Sequence, residues 1–149
     1  MADKKKEIII SNKKARFEYA FEDTFTAGIQ LSGTEVKSIR DGNASITEAY
    51  CVIEDSEAFL LNAYISEYKQ GTYNNHIPRR KRKLLLQKKE LKKVEGKLKD
   101  KGYALIPLQI FESETGFFKI EIGLGRGKKA FDKREDIKKR DIERDMKQF

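Results

Sequence analysis

The chain has 149 residues, 38% hydrophobic and 38% charged, and its 32 Lys and Arg against 24 Asp and Glu give a formal charge of +8. A domain of this length buries enough surface to fold without a disulfide or metal staple, and the single cysteine, Cys51, has no partner for an internal disulfide. No apolar run approaches the roughly 20 residues of a membrane helix, so neither membrane insertion nor secretion is expected, and a cytoplasmic protein with an anionic partner is.

From Ala15 to Phe21 apolar residues occupy every second position, and Phe25, Ala27, Ile29 and Leu31 repeat the period after Glu22-Asp23. The pattern predicts an antiparallel hairpin of two half-buried strands. Ser32-Gly33-Thr34 follows, and Thr34 is placed to cap a short helix through Val36, Lys37 and Ile39 that ends near Asp41-Gly42. Residues Ala49–Glu54 and Ala58–Ile65 are apolar, β-branched or aromatic runs on either side of Asp55-Ser56-Glu57, which predicts a second hairpin.

A loop from Ser66 to Pro78 leads into a stretch with Leu84, Leu91 and Leu98 spaced by seven and Val94 beside them, which predicts one long helix over 80–101. Gly102 is placed to stop it. Two more period-two runs, Ala104–Ile110 and Phe118–Leu124, predict a final pair of strands, the first irregular at Pro107 because proline donates no ladder hydrogen bond. Six strands suffice to close a small barrel. The expected fold is mainly β with helices: an OB-like small antiparallel β-barrel over residues 1–126, one short and one long inserted helix, and a basic tail over 127–149.

The tail offers few large apolar groups, and its spaced opposite charges, such as Glu135 with Lys139, contribute only about 0.2–0.5 kcal/mol each. That is too little against an ordering cost of roughly 1–2 kcal/mol per residue, so the expectation is a segment disordered when free and helical when bound. The charge excess is local: residues 76–101 carry +9 and 126–149 carry +4, while the remainder is net −5. Two concentrated patches point to two places where phosphate backbones are gripped, although a lysine-rich helix face is equally a common solvated surface.

Chemistry for catalysis is missing. His76 is the only histidine and sits in the predicted loop without a second ligand nearby in sequence, and Cys51 falls in a strand where it reads as a small core residue. Gly123-Leu124-Gly125-Arg126-Gly127 lacks the spacing of phosphate-cradling loops and reads as a flexible exit from the last strand. No cofactor or metal is expected, and binding is favoured over catalysis.

Three segments taken in order carry a resemblance: Gly33-Thr34-Glu35-Val36-Lys37-Ser38-Ile39-Arg40, then Arg82-Lys83-Leu84-Leu85-Leu86, then Gly127-Lys128-Lys129 with Asp132-Lys133-Arg134. With Asn12-Lys13-Lys14-Ala15 near the start, the ordered set closely resembles the SsrA-binding protein (SmpB) family over nearly the whole chain.

The resemblance implies a non-enzymatic, monomeric RNA-binding protein. It would bind the tRNA-like domain of tmRNA and accompany it to ribosomes stalled on messages without a stop codon, completing a tRNA mimic. It implies tmRNA contacts by Asn12, Lys13, Lys14, Arg82, Lys83 and Leu85. It further implies that Gly127, Lys128, Lys129, Phe131, Asp132, Lys133, Arg134, Lys138 and Arg140 engage small-subunit rRNA at the decoding centre and mRNA channel. Thr26 stands where the family often has an acidic residue in contact with RNA, which puts that contact in doubt. Barrel pattern and charge alone also fit a general single-strand-binding OB module or a ribosomal protein.

Overall fold

The structure is a computed structural model that describes residues 7–69 and 75–128. In chain order the elements are β1 (Glu7–Ser11), α1 (Lys13–Glu18), β2 (Tyr19–Ile29), α2 (Gly33–Arg40), β3 (Ala44–Ser45), β4 (Tyr50–Glu54), β5 (Glu57–Leu61), β6 (Tyr64–Ile65), β7 (Arg82–Leu85), α3 (Lys88–Leu98), β8 (Tyr103–Glu112) and β9 (Phe118–Gly127). The main sheet runs β1-β8-β4-β5-β7-β2-β9, and β8 also pairs with β9. The pairings therefore return on themselves through β8, with β1 added at its side, and all are antiparallel. The expectation of a mainly β, antiparallel chain with a few helices holds in this form.

The interior of that circuit is built by alternation. Phe25, Ala27 and Ile29 of β2 point inward, as do Phe118, Ile120, Ile122 and Leu124 of β9, all at 9% exposure or less. Burying a side chain of this size contributes about 1.5–3 kcal/mol, which makes this inner face the main source of stability. The β4–β5 hairpin turns at Asp55 and Ser56, whose φ angles of 50° and 60° match the twist of the flanking strands.

Three expectations require correction. Ala15 and Phe17 lie in α1, not in a strand, because Asn12 caps a helix there: its Oδ1 accepts a hydrogen bond from the Ala15 backbone at 3.1 Å. Tyr19 to Ile29 then forms one strand, and Glu22-Asp23 marks a bulge in it, between Phe21 and Asp23, rather than a hairpin turn. The short helix is capped by Ser32, not Thr34.

The long helix over 80–101 is also shorter than its leucine spacing suggests. Residues 82–85 form β7, whose alternation puts Arg82 and Leu84 inside and Leu85 outside, and α3 begins at Lys88. Leu91, Val94 and Leu98 of α3 still pack on the core, and Gly102, at φ +90°, turns the chain into β8.

In β8 the parity differs from the expected one. Leu105 and Ile110 face the main core, while Ile106 and Leu108 pack under Ala15 of α1 with Tyr19 and Phe21. The switch occurs at an irregularity between Pro107 and Gln109, where irregularity was expected. Gly123 and Gly125 belong to β9 and do not form a flexible exit: a Cβ at Gly125 would stand 2.1 Å from the Ala20 carbonyl oxygen.

Candidate nucleic-acid interface

On the outer face of the sheet, β7, β2 and β9 place Leu85, Gly28 and Lys119 in one cross-strand row. Leu85 is 51% exposed although its neighbour Leu84 is buried, so the strand presents a large apolar group to solvent by register and not by fraying. A Cβ added to Gly28 would reach the Leu85 side chain at 3.4 Å, which shows that the glycine leaves a shallow step beside the leucine. One row along β2, exposed Thr26 faces Glu121 of β9. Lys83, two residues before Leu85 and on the same face, donates to Glu57 at 3.2 Å.

Arg82 points the other way and is fully buried. Its Nε donates to Glu35 Oε2 at 2.5 Å, and its terminal nitrogens donate to the carbonyls of Ala63, Arg80 and Pro78. Glu35 is equally buried; its Oε1 accepts from Arg80 at 2.7 Å and from the Ser32 backbone at 2.9 Å, closing the capping box of α2. Burial alone would raise the Glu35 carboxyl, but Arg80, Ser32 and Arg82 outweigh it and hold the group below its ordinary range. Burial lowers Arg82, Glu35 pulls it back, and a guanidinium stays charged in any case. The Ser-x-x-Glu signature at Ser32–Glu35 was the sequence signal for half of this arrangement; nothing in strand parity announces a buried arginine.

Asn12 is buried at 2% exposure. Besides capping α1, its Nδ2 donates to the carbonyls of Pro107 at 2.9 Å and Ile46 at 3.2 Å. The amide is thus committed to joining α1, β8 and the segment after β3. Asn12 and Arg82, expected to touch RNA, are buried and their polar atoms are bonded inside the protein.

Lys13 and Lys14, which Asn12 places at the start of α1, are exposed. Lys14 donates to Glu48 at 3.3 Å and lies near Glu18, and these partners raise its pKa. It borders a half-open cleft of about 330 Å³ with Tyr19 and Tyr50 on its walls.

Gly127 ends β9 opposite Tyr19, and the Lys128 backbone N–H donates to the Glu18 carbonyl at 2.7 Å, so the root of the tail is tied to the end of α1. Lys129, Phe131, Asp132, Lys133, Arg134, Lys138 and Arg140 lie outside the described residues.

His76 is buried, with Nε2 at 2.9 Å from the Ile65 carbonyl and Nδ1 at 2.8 Å from Thr34 Oγ1, so it ties the loop to α2. Cys51 is a core residue whose thiol burial pushes up, away from reactivity. Among the described residues no cluster of acids, His or Cys is arranged to hold a metal, and no helix is long and apolar enough to cross a membrane.

Similar proteins extend this picture. The family model for SmpB protein matches residues 9–149. The SsrA-binding protein of Parabacteroides distasonis is 51% identical, over 93% of this chain and 91% of its own length. That of Thermosipho melanesiensis is 47% identical, over 95% of this chain and 97% of its own. A chain from a solved structure described as tmRNA-SmpB on a journey to the centre of the bacterial ribosome superposes with a TM-score of 0.71 at 46% identity, covering 88% of this chain and 95% of that one. With the fold and the matched length in agreement, the chain belongs to the SmpB, or SsrA-binding protein, family.

Proposed function

We propose that the chain is an RNA-binding factor, not an enzyme, that binds the tRNA-like domain of tmRNA and delivers it to stalled ribosomes for trans-translation. The observation that carries this reading is the outward Leu85–Gly28–Lys119 row: a half-exposed leucine beside a glycine step and flanked by lysine suits apolar and electrostatic contact with a folded RNA surface. Family membership and the tmRNA-SmpB structure support it. The circuit of strands serves as an OB-like barrel that holds this row rigid, while Lys13, Lys14 and Lys83 add further contacts. Thr26 leaves the row without the carboxylate common in the family, and Glu121 stands across from it.

The tail supplies the second half of the reading. From Gly127 onward it enters the decoding centre and the vacant mRNA channel, where it becomes helical as Lys138 and Arg140 neutralise rRNA phosphates. Phe131 stacks on an unpaired base, an interaction of about 1–3 kcal/mol, more than an exposed ion pair gives. A channel filled by message excludes the tail, so the factor selects stalled ribosomes by steric competition and acts in the cytoplasm as a monomer.

Truncation after Gly127 tests the division. The truncated chain should keep its affinity for the tRNA-like RNA and lose tagging on stalled ribosomes, with Phe131→Ala more damaging to tagging than Lys147→Ala. Loss of RNA binding in the truncated chain, or equal effects of the two substitutions, contradicts it.

A further inference from the structure

Several cations outside α3 are paired with acids, although among the described residues Lys13, Lys37 and Arg126 are not. Lys14 pairs with Glu48, Arg16 with Glu121, Arg40 with Glu112, Lys81 with Glu54, Lys83 with Glu57, and Arg80 and Arg82 share Glu35. On α3, which Lys99 caps at its C-terminus, Lys93 pairs with Asp23 at 3.2 Å, whereas its neighbours do not pair with acids. Among the described residues Lys88, Lys89, Lys92 and Lys99 have no acid within ion-pair distance, although Glu90, Glu95 and Asp100 lie on the same stretch.

Val94, fully buried, fixes the inward direction of α3. A turn of about 100° per residue then carries Lys89, Lys92, Gly96 and Lys99 to the opposite side, and all four are exposed. Gly96 has no neighbour within 4 Å of where a Cβ would stand, so core packing does not require it. Glycine is among the poorest helix formers, yet it occupies the centre of a lysine face. A bare backbone framed by three flexible cations admits an anion closer to the helix axis than any side chain would allow.

We propose that the outer face of α3 docks the phosphate backbone of an RNA helix, seated over Gly96 between Lys89, Lys92 and Lys99. This rests on the reading that the chain binds RNA, and adds α3 to the strands that carry the Leu85 row. A duplex backbone is the fitting occupant because this face carries no aromatic ring on which a single-stranded base would stack, and charge spaced along a straight rod reads a regular helix by shape. Eleven residues of helix span about 16 Å, enough for several phosphates of one groove edge.

The test uses the full chain against two probes, the tRNA-like RNA of tmRNA and a plain RNA duplex of equal length, titrated across a salt series. Replacing Lys89, Lys92 and Lys99 together by Gln should flatten the dependence of log K on log salt by about 2–3 on both probes, as each duplex phosphate contact contributes about 0.9. Removing two exposed lysines elsewhere, Lys37→Gln with Lys69→Gln, should change it much less. Gly96→Gln should raise the melting temperature yet weaken binding several-fold, a combination that a merely solvated helix face does not give.

An unchanged slope in the triple variant, or a Gly96→Gln chain that is more stable and binds as before, overturns the α3 assignment. If the parent chain shows no preference between the probes while the triple variant still loses slope, the α3 assignment stands and the tRNA-like reading falls. A parent that binds neither probe refutes both.

Discussion

Glu35 and Arg82 form an ion pair at 2.5 Å in which both side chains are fully buried, and it joins α2 to β7 beneath the candidate RNA face. The pair also organises the segment that leads into β7, because Arg82 donates to Ala63, Arg80 and Pro78 carbonyls at 3.1, 2.9 and 3.1 Å. Removing one partner of a buried pair costs about 3–5 kcal/mol when the other charge is left uncompensated, and here Arg80 still pairs with Glu35 at 2.7 Å. Arg82→Met should lose about the lower end of that range, because Arg80 still compensates Glu35 while the Ala63 and Arg80 carbonyls lose a donor. Urea denaturation measures the loss. A Glu35→Leu, Arg82→Met double variant should recover only part of it, for the Ala63 and Arg80 carbonyls still lack the Arg82 donor; full recovery would show that Arg82 matters only as a counter-ion.

The same pair sets an acid limit. The Glu35 carboxyl is held below its ordinary value of 4.5, so the proton binds the unfolded chain more readily than the folded one. Its contribution to stability is therefore fully present above 4.5 and disappears as pH falls through the depressed folded value. Glu35→Gln carries no such titration. The stability gap between parent and variant, measured by urea midpoint, should be largest near neutrality and narrow in the acid range, and a gap independent of pH would refute the assignment.

How much of this was legible in the sequence differs by element. The β4–β5 hairpin and the inward parity of β9 follow from alternation and turn residues alone, because one face of each strand meets a core and the other meets water. Alternation misled at Ala15 and Phe17, where a single Asn12 cap, with its amide also satisfying Ile46 and Pro107, turned the same residues into a helix. It misled again at Leu84, whose spacing of seven to Leu91 bridges a strand and a helix by coincidence. The family motif groups Leu85, which the structure exposes, with Arg82 and Asn12, which it buries. A motif records which residues matter and is silent on whether they touch the ligand or hold the groups that do.

The glycines of β9 give a sharper structural test. At Gly125 a Cβ would stand 2.1 Å from the Ala20 oxygen and 2.7 Å from the Phe21 Cα, both backbone atoms of the bulged strand, whereas at Gly123 it would meet the Phe21 ring at 2.6 Å. A ring can rotate aside more cheaply than a paired backbone can. Gly125→Ala should therefore cost more than Gly123→Ala, at the upper end of the about 1–3 kcal/mol typical of overpacking. Thermal melts of the two variants decide it, and equal melting temperatures would mean that β2 yields at its bulge.

Leu84 and Leu85 are adjacent in β7 and face opposite sides, with exposures of 2% and 51%, so one residue separates a stability role from a binding role. Leu84→Ala opens a cavity among Ala58, Leu60 and their neighbours in the core and should cost about 2–5 kcal/mol. Leu85→Ala removes a side chain that meets solvent and the Gly28 step, so its cost should stay within about 0.5 kcal/mol, as for surface positions generally. Affinity for the tRNA-like RNA should show the reverse order under conditions where both variants are folded: near-parental for Leu84→Ala and clearly weakened for Leu85→Ala. The crossing of the two orders is the informative result. If both substitutions weakened binding only in proportion to the fraction unfolded, the outward leucine would be a tolerated surface residue and the RNA contact would have to lie on another face of the sheet.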